Sequence, residues 1–229
     1  ALNLTKLDIK GLGKAKYILK EGGTLGDLYT TSNLRFNDNG YVEVDKNGNL
    51  LMTDEGEDIY LGSVFPNHNL AWRNDFSYKG INLGVLFTAR LGGVCYSATQ
   101  ANLDLYGVSE ASAAARDAGG VLINGREMVD AQKWYQAIGS QSGLPQYYLY
   151  SATNVRLQEL SLGYTFPRKW FRNKLGLTVS FVGRNLWMIY CKAPFDPEAV
   201  ASTGLNYQGI DYFMMPSMRN LGFNVQFQF

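Results

Sequence analysis

The last ten residues, Asn220-Leu221-Gly222-Phe223-Asn224-Val225-Gln226-Phe227-Gln228-Phe229, alternate strictly, apolar at odd positions and polar or glycine at even ones. Successive side chains of a strand point to opposite faces, so this stretch predicts a strand with one apolar and one wet face. Four further stretches carry the same signal. From Asn69 to Lys79, Leu70, Trp72, Phe76 and Tyr78 oppose Asn69, Arg73, Asp75, Ser77 and Lys79. After a tight turn at Lys79-Gly80, Ile81, Leu83, Val85, Phe87, Ala89 and Leu91 oppose Asn82, Gly84, Leu86, Thr88 and Arg90. Between Asn154 and Phe166, Leu160, Leu162, Tyr164 and Phe166 share a face, with Val155 and Leu157 out of phase. That break predicts a bulge near Gln158-Glu159. Leu175 to Met188 alternates again, through Leu177, Val179, Phe181 and Trp187 against Thr178, Ser180 and Arg184.

The remaining pattern is weaker. Near the start, Leu2, Leu4, Leu7 and Ile9 alternate loosely, and a short strand is expected from Leu25 to Thr30. Thr31 to Ser63 is polar and rich in turn residues, which predicts a long loop with small hairpin pieces such as Tyr41 to Val44. Gly92 to Thr153 shows little strand pattern but two helix starts: Ser109 before Ala111–Ala118, and Asp130 before Ala131–Ile138. A connection this long inside a domain is usually functional. A second long loop runs from Tyr190 to Ser217.

Strands with one apolar face suit either a sandwich of two sheets or a membrane barrel whose apolar face meets lipid. Connection lengths separate the two readings. From Ala71 onward they run short, long, short, long, the asymmetry of outer-membrane barrels with short periplasmic turns and long extracellular loops. Each arm of the clearest hairpin is about 11 to 13 residues, enough to cross a bilayer with the usual tilt. Composition agrees: charged residues are 18% of the chain, below the roughly 25% of soluble domains, and aromatics reach 14%. A mean hydropathy of -0.17 and the lack of a long apolar run exclude a transmembrane helix but leave a barrel open. The net charge of +1 gives no nucleic-acid footprint.

Little points to catalysis. His68 is the sole histidine, at a strand end, with no serine that spacing places beside it, so triad and zinc chemistry are not expected. Asp45, Asn47 and Asn49 half-match a calcium loop, but Leu50 stands where the sharp turn needs glycine, so a plain polar turn is preferred. The acidic run from Asp54 to Asp58 reads as a solvated loop. Cys95 and Cys191 are expected to end two strands separated by a third, about 10 Å apart and beyond disulfide reach. Arg73, Asp75, Arg90 and Arg184 fall on the polar face, where a barrel would make them lumen-lining, with Asp75 a natural partner for an arginine. The aromatic loop residues Trp134, Tyr135, Tyr147, Tyr148, Tyr150, Tyr207, Tyr212 and Phe213 are the candidates for contact with substrate or a partner, because flat rings stack on sugars and peptide side chains.

Several ordered motifs resemble one family. They are Gly62–Pro66 followed by Phe76-Ser77-Tyr78-Lys79-Gly80 and Leu91-Gly92-Gly93; Val155 through Pro167; Gly183-Arg184-Asn185-Leu186; Phe195-Asp196-Pro197-Glu198; and Gly209-Ile210-Asp211-Tyr212 with Pro216, Arg219 and the final strand. Each is weak alone, but their order over most of the chain is similar to the C-terminal barrel segment of the SusC/RagA family, TonB-dependent outer-membrane transporters of Bacteroidetes. The resemblance implies an all-β fold, an antiparallel transmembrane segment of a barrel of about 22 strands with long extracellular loops. Residues 1–229 would be its C-terminal part, with the plug domain and N-terminal strands outside this chain, since at least about eight strands are needed to close a barrel. It further implies import of oligomeric nutrients, glycans or peptides, with a SusD-like lipoprotein lid, energy from TonB through the plug, the terminal Phe229 as an assembly signal, no cofactor and no enzymatic activity. A soluble carbohydrate-binding β-sandwich is the alternative, separable by whether the chain needs detergent.

Overall fold

The computed structural model describes residues 6–9, 11–53, 56–140, 142–199 and 207–229. The expected alternation at Leu2 and Leu4 and the acidic pair Asp54-Glu55 lie outside them. The chain divides into two compact units, one of Ala1–Phe65, Gly93–Ser151 and Ala199–Met214, the other of Pro66–Gly92, Ala152–Glu198 and Met215–Phe229. The fold is all-β and antiparallel apart from short helices and one short parallel pairing, and no described helix is long and apolar enough to cross a membrane.

The second unit is a five-stranded meander. Its strands are β1 (His68–Tyr78), β2 (Ile81–Leu91), β3 (Asn154–Phe166), β4 (Gly176–Cys191) and β5 (Asn220–Gln228). Each pairs with its neighbours in sequence, and every pair is antiparallel. Lys79 and Gly80 both take positive φ (48° and 89°), as a two-residue turn between right-twisting strands requires. The register carries the alternation across the sheet: Phe76, Leu83, Leu162, Phe181 and Phe223 lie in one row, and Tyr78, Ile81, Tyr164, Val179 and Val225 in the next.

The predicted bulge is present. Leu157 faces Phe87 and Glu159 faces Leu86, so Gln158 is the extra residue. It returns Val155 and Leu157 to the apolar face, opposite Ala89 and Phe87. The adjacent strand bends at the same level, where Asn185 takes φ 52° and accepts a 2.8 Å hydrogen bond from Gln158 Nε2.

The first unit holds its own core, built around Ala15, Tyr17, Leu28, Leu34, Val64, Tyr96, Ala98, Ala101, Leu144, Tyr148 and Ile210. Long stretches expected to be loops therefore fold. Ile59–Ser63, from the expected loop, joins a sheet with Lys6–Ile9, Lys16–Lys20 and Asp27–Thr30, the last being the short strand expected there, while Val94–Ser97 pairs with Leu149–Ser151 and Ile210–Asp211 in another. Both expected helices form: α2 (Glu110–Asp117) capped by Ser109, and α3 (Ala131–Ile138) capped by Asp130 through the Gln132 and Lys133 amides. They follow α1 (Ala98–Leu105), which the sequence reading did not expect and which Ser97 caps by accepting from the Gln100 amide.

Candidate functional site

The apolar face of the five-stranded sheet lies bare along its length. Trp72 is 63% exposed, Phe76 60%, Trp187 61% and Phe223 80%, and Phe227 remains 57% exposed. Had these rows been covered by a second sheet, they would be buried. Apolar area left in water costs about 25 cal/mol per Å², so a face of this size marks an interaction surface rather than a solvated one. Aromatic rings gather where the short turns lie: Tyr164 meets Phe166 edge-on (5.0 Å), Phe166 meets Trp170 (5.8 Å), and Lys79 Nζ stands 5.2 Å from the Tyr78 ring.

The opposite face carries charge in a connected row. Arg73 donates to Asp75 through Nε (2.9 Å) and Nη2 (3.2 Å), reaches Glu159 at 3.7 Å, and Glu159 accepts from Arg184 Nε at 2.9 Å. The row spans the sheet because Gly84 lies between Asp75 and Ser161. A Cβ there would come within 2.5 Å of Ser161 Oγ and 2.8 Å of Asp75 Oδ1. Of the expected lumen set, Arg73, Asp75 and Arg184 thus join one network through Glu159, which the sequence reading spent on the bulge. Arg90 sits further along the same face, paired across the sheet with Asn69 and Asn154.

Two of the ordered motifs meet at a buried ion pair. Arg156 on β3 donates from Nη2 to Asp196 Oδ1 (2.9 Å) and lies 3.3 Å from Glu198 Oε2. Asp196 also accepts from the backbone amides of Glu198 (3.0 Å) and Ser217 (3.2 Å). Burial by itself would raise the Asp196 pKa. The hydrogen bonds from Ser217, Arg156 and Glu198 outweigh it and hold the carboxyl below its ordinary 3.8.

In the other unit, Trp134 and Tyr147 meet edge-on at 6.0 Å, with Trp134 and Tyr135 leaning on the core. Tyr207, Tyr212 and Phe213 are exposed, the last two in contact at 5.3 Å, and Tyr150 is half-buried. Tyr148 is the correction in this set: it is 2% exposed and part of the core, so its ring meets protein on all sides. The turn at Asp45, Asn47 and Asn49, for which a plain polar turn was preferred over a calcium loop, is closed by its own hydrogen bonds. Asp45 accepts from the Asn47 and Asn49 amides with one oxygen and from Asn49 Nδ2 with the other. Lys133 Nζ donates to the Asn47 carbonyl, so these oxygens already serve N–H donors and an ammonium. Cys191 ends its strand as expected, whereas Cys95 belongs to the Val94–Ser97 strand of the other unit; neither is in a disulfide. Phe229 stands one residue past β5, almost fully exposed.

A cleft lies between the helices, at residues that no sequence motif marks. It has a volume of about 190 Å³ and is lined by Asp104, Leu105, Tyr106 and Gly107 beside Ser112 and Arg116 of α2 and Ala131, Gln132 and Tyr135 of α3. Asp104 is buried and accepts from Gln100 Nε2 at 2.8 Å. The sequence signal for α1 was Ser97 followed by apolar residues at 98, 101 and 105, a helix pattern too short to stand out.

A sheet with one bare apolar face, one polar charged face, and short turns at one end defines the wall of a membrane barrel. Similarity to known proteins points the same way. No family model matches the chain. A TonB-dependent receptor P3 of Formosa agariphila is 25% identical over 198 residues, 82% of this chain. This chain spans only 19% of that relative's length. The structure of the RagAB peptide transporter superposes with a TM-score of 0.55 at 19% identity, covering 99% of this chain and 24% of that one. The RagAB peptide importer in its open-open state gives 0.50 at 17% identity, covering 97% and 27%. The chain is thus similar to a TonB-dependent receptor in sequence and has the fold of a segment of these transporter chains, as its ordered motifs led one to expect.

Proposed function

We propose that residues 1–229 form the C-terminal part of an outer-membrane active transporter for oligomeric nutrients, glycans or peptides. The bare apolar face of the sheet carries this reading: it is a surface that hydrocarbon tails satisfy and water does not. The Arg73–Asp75–Glu159–Arg184 row then lines the lumen. The two open edges, β1 and β5, pair with barrel strands supplied by the rest of the polypeptide. The long connections carry the exposed Tyr207, Tyr212 and Phe213, which meet substrate or a SusD-like lipoprotein lid. The resemblance supplies the remaining partners, a plug and TonB as the energy source. Transport rather than catalysis fits the relatives, which are a receptor and transporters.

Fractionation of cells expressing the natural polypeptide tests this. The protein is expected in the outer-membrane fraction, resistant to carbonate and released by detergent. Recovery as a buffer-soluble monomer would instead support the β-sandwich and end the transport reading.

A further inference from the structure

Asp104 is a buried carboxylate at the wall of an open cleft, and among the described residues no lysine, arginine or histidine forms an ion pair with it. Its side chain takes a hydrogen bond from the Gln100 amide and interacts with the Tyr148 hydroxyl, both neutral groups. Buried carboxylates are rarely left without a cation, because the cost of desolvating the charge is otherwise unmet. The surroundings register that charge: after burial, the next influence raising the phenols of Tyr135, Tyr148 and Tyr150 is the Asp104 carboxylate.

The rest of the cleft suits a ligand. At about 190 Å³ it is smaller than the roughly 300–1,000 Å³ of sites that enclose a whole small molecule, which suits the capture of one terminal group. The Tyr106 ring at the rim is 75% exposed, although a tyrosine with nothing to contact gains little from its place there. Tyr135 supplies a second aromatic wall, and aromatic faces attract cations. Arg116 donates from Nη1 to the Gly107 carbonyl (2.7 Å), which holds the loop carrying Tyr106 against α2.

We propose that this cleft is a subsite for a primary ammonium group of the cargo, with Asp104 as its counter-ion and Tyr106 and Tyr135 flanking it. The inference rests on the transport reading only in taking the ligand to be cargo; binding itself does not depend on a membrane location. Two cargo chemistries carry such a group, the amino end of a short peptide and an amino sugar.

Calorimetric titration of the natural polypeptide in detergent distinguishes them, using the tripeptide Gly-Leu-Gly, its N-acetylated form, glucosamine and N-acetylglucosamine. A free amine should bind at least about ten-fold more tightly than its acetylated partner, the equivalent of about 1.4 kcal/mol. Asp104→Asn should erase that difference, and Tyr106→Ala, at an exposed position that folding does not need, should weaken the free amine several-fold. Amine-dependent binding of the tripeptide or of glucosamine supports the subsite and names its source. Equal binding of free and acetylated forms, or a preference that survives Asp104→Asn with the fold intact by circular dichroism, overturns it. Neither result bears on whether the protein fractionates with the membrane.

Discussion

Gly84 and Arg156 are the two positions where a single side chain decides most. Because a Cβ at Gly84 would press on Ser161 and Asp75, Gly84→Val is expected to break the charge row and cost about 1–3 kcal/mol, read as a lower melting temperature in detergent. The row's exposed pairs contribute little stability themselves, so Arg184→Gln should leave melting nearly unchanged. Arg156→Met behaves differently. It strands the buried Asp196 carboxylate and is expected to cost about 3–5 kcal/mol. The pair also sets a pH response. Asp196 has a depressed folded pKa, so the unfolded chain binds more protons as pH falls below 3.8. The stabilisation is therefore complete above that value and is lost as pH drops further through the folded one. Melting curves between neutral pH and pH 2 should show this loss, and Asp196→Asn should remove its share of it. Arg73, Asp75 and Arg184 were legible in the sequence as one face because strands repeat every two residues. Glu159 was not, because the phase break beside it hid which way it points.

Elements were legible in proportion to their length. The five long strands, the Lys79-Gly80 turn and the Gln158 bulge each leave many alternating positions on either side, enough to fix phase. Strands of three or four residues such as Val121–Ile123 and Leu149–Ser151 show no full period, and their stability comes from a core built by residues far apart in sequence. Helix α1 escaped notice for a related reason: its buried face is small, Ala98 and Ala101. The aromatic loop residues were chosen for chemistry alone, which cannot tell the core ring of Tyr148 from the exposed one of Phe213. The bulge itself is testable. Deleting Gln158 should turn Val155 and Leu157 toward the polar face, and the protein is expected to lose its protease-resistant folded form in outer-membrane preparations.

At the scale of the molecule, the two faces of the sheet should respond oppositely to charge. Phe181→Arg places a guanidinium on the apolar face and is expected to cost about 2–4 kcal/mol of folding stability in lipid vesicles, measured by urea titration. Ser180→Arg, one residue away on the other face, should be nearly neutral; equal costs at both positions would argue against lipid on one side. The pairing of Val94 with Ser151 has a further effect on how this sheet is assembled. About 60 residues separate β2 from β3, and joining the ends of so long a segment costs roughly 2 kcal/mol more than joining one a tenth as long. Once the inserted segment has folded and clasped its own two stems, that cost is already met. To the growing wall, the excursion then behaves as a hairpin of a few residues, and the fourth and fifth strands can add to a template that is waiting for them.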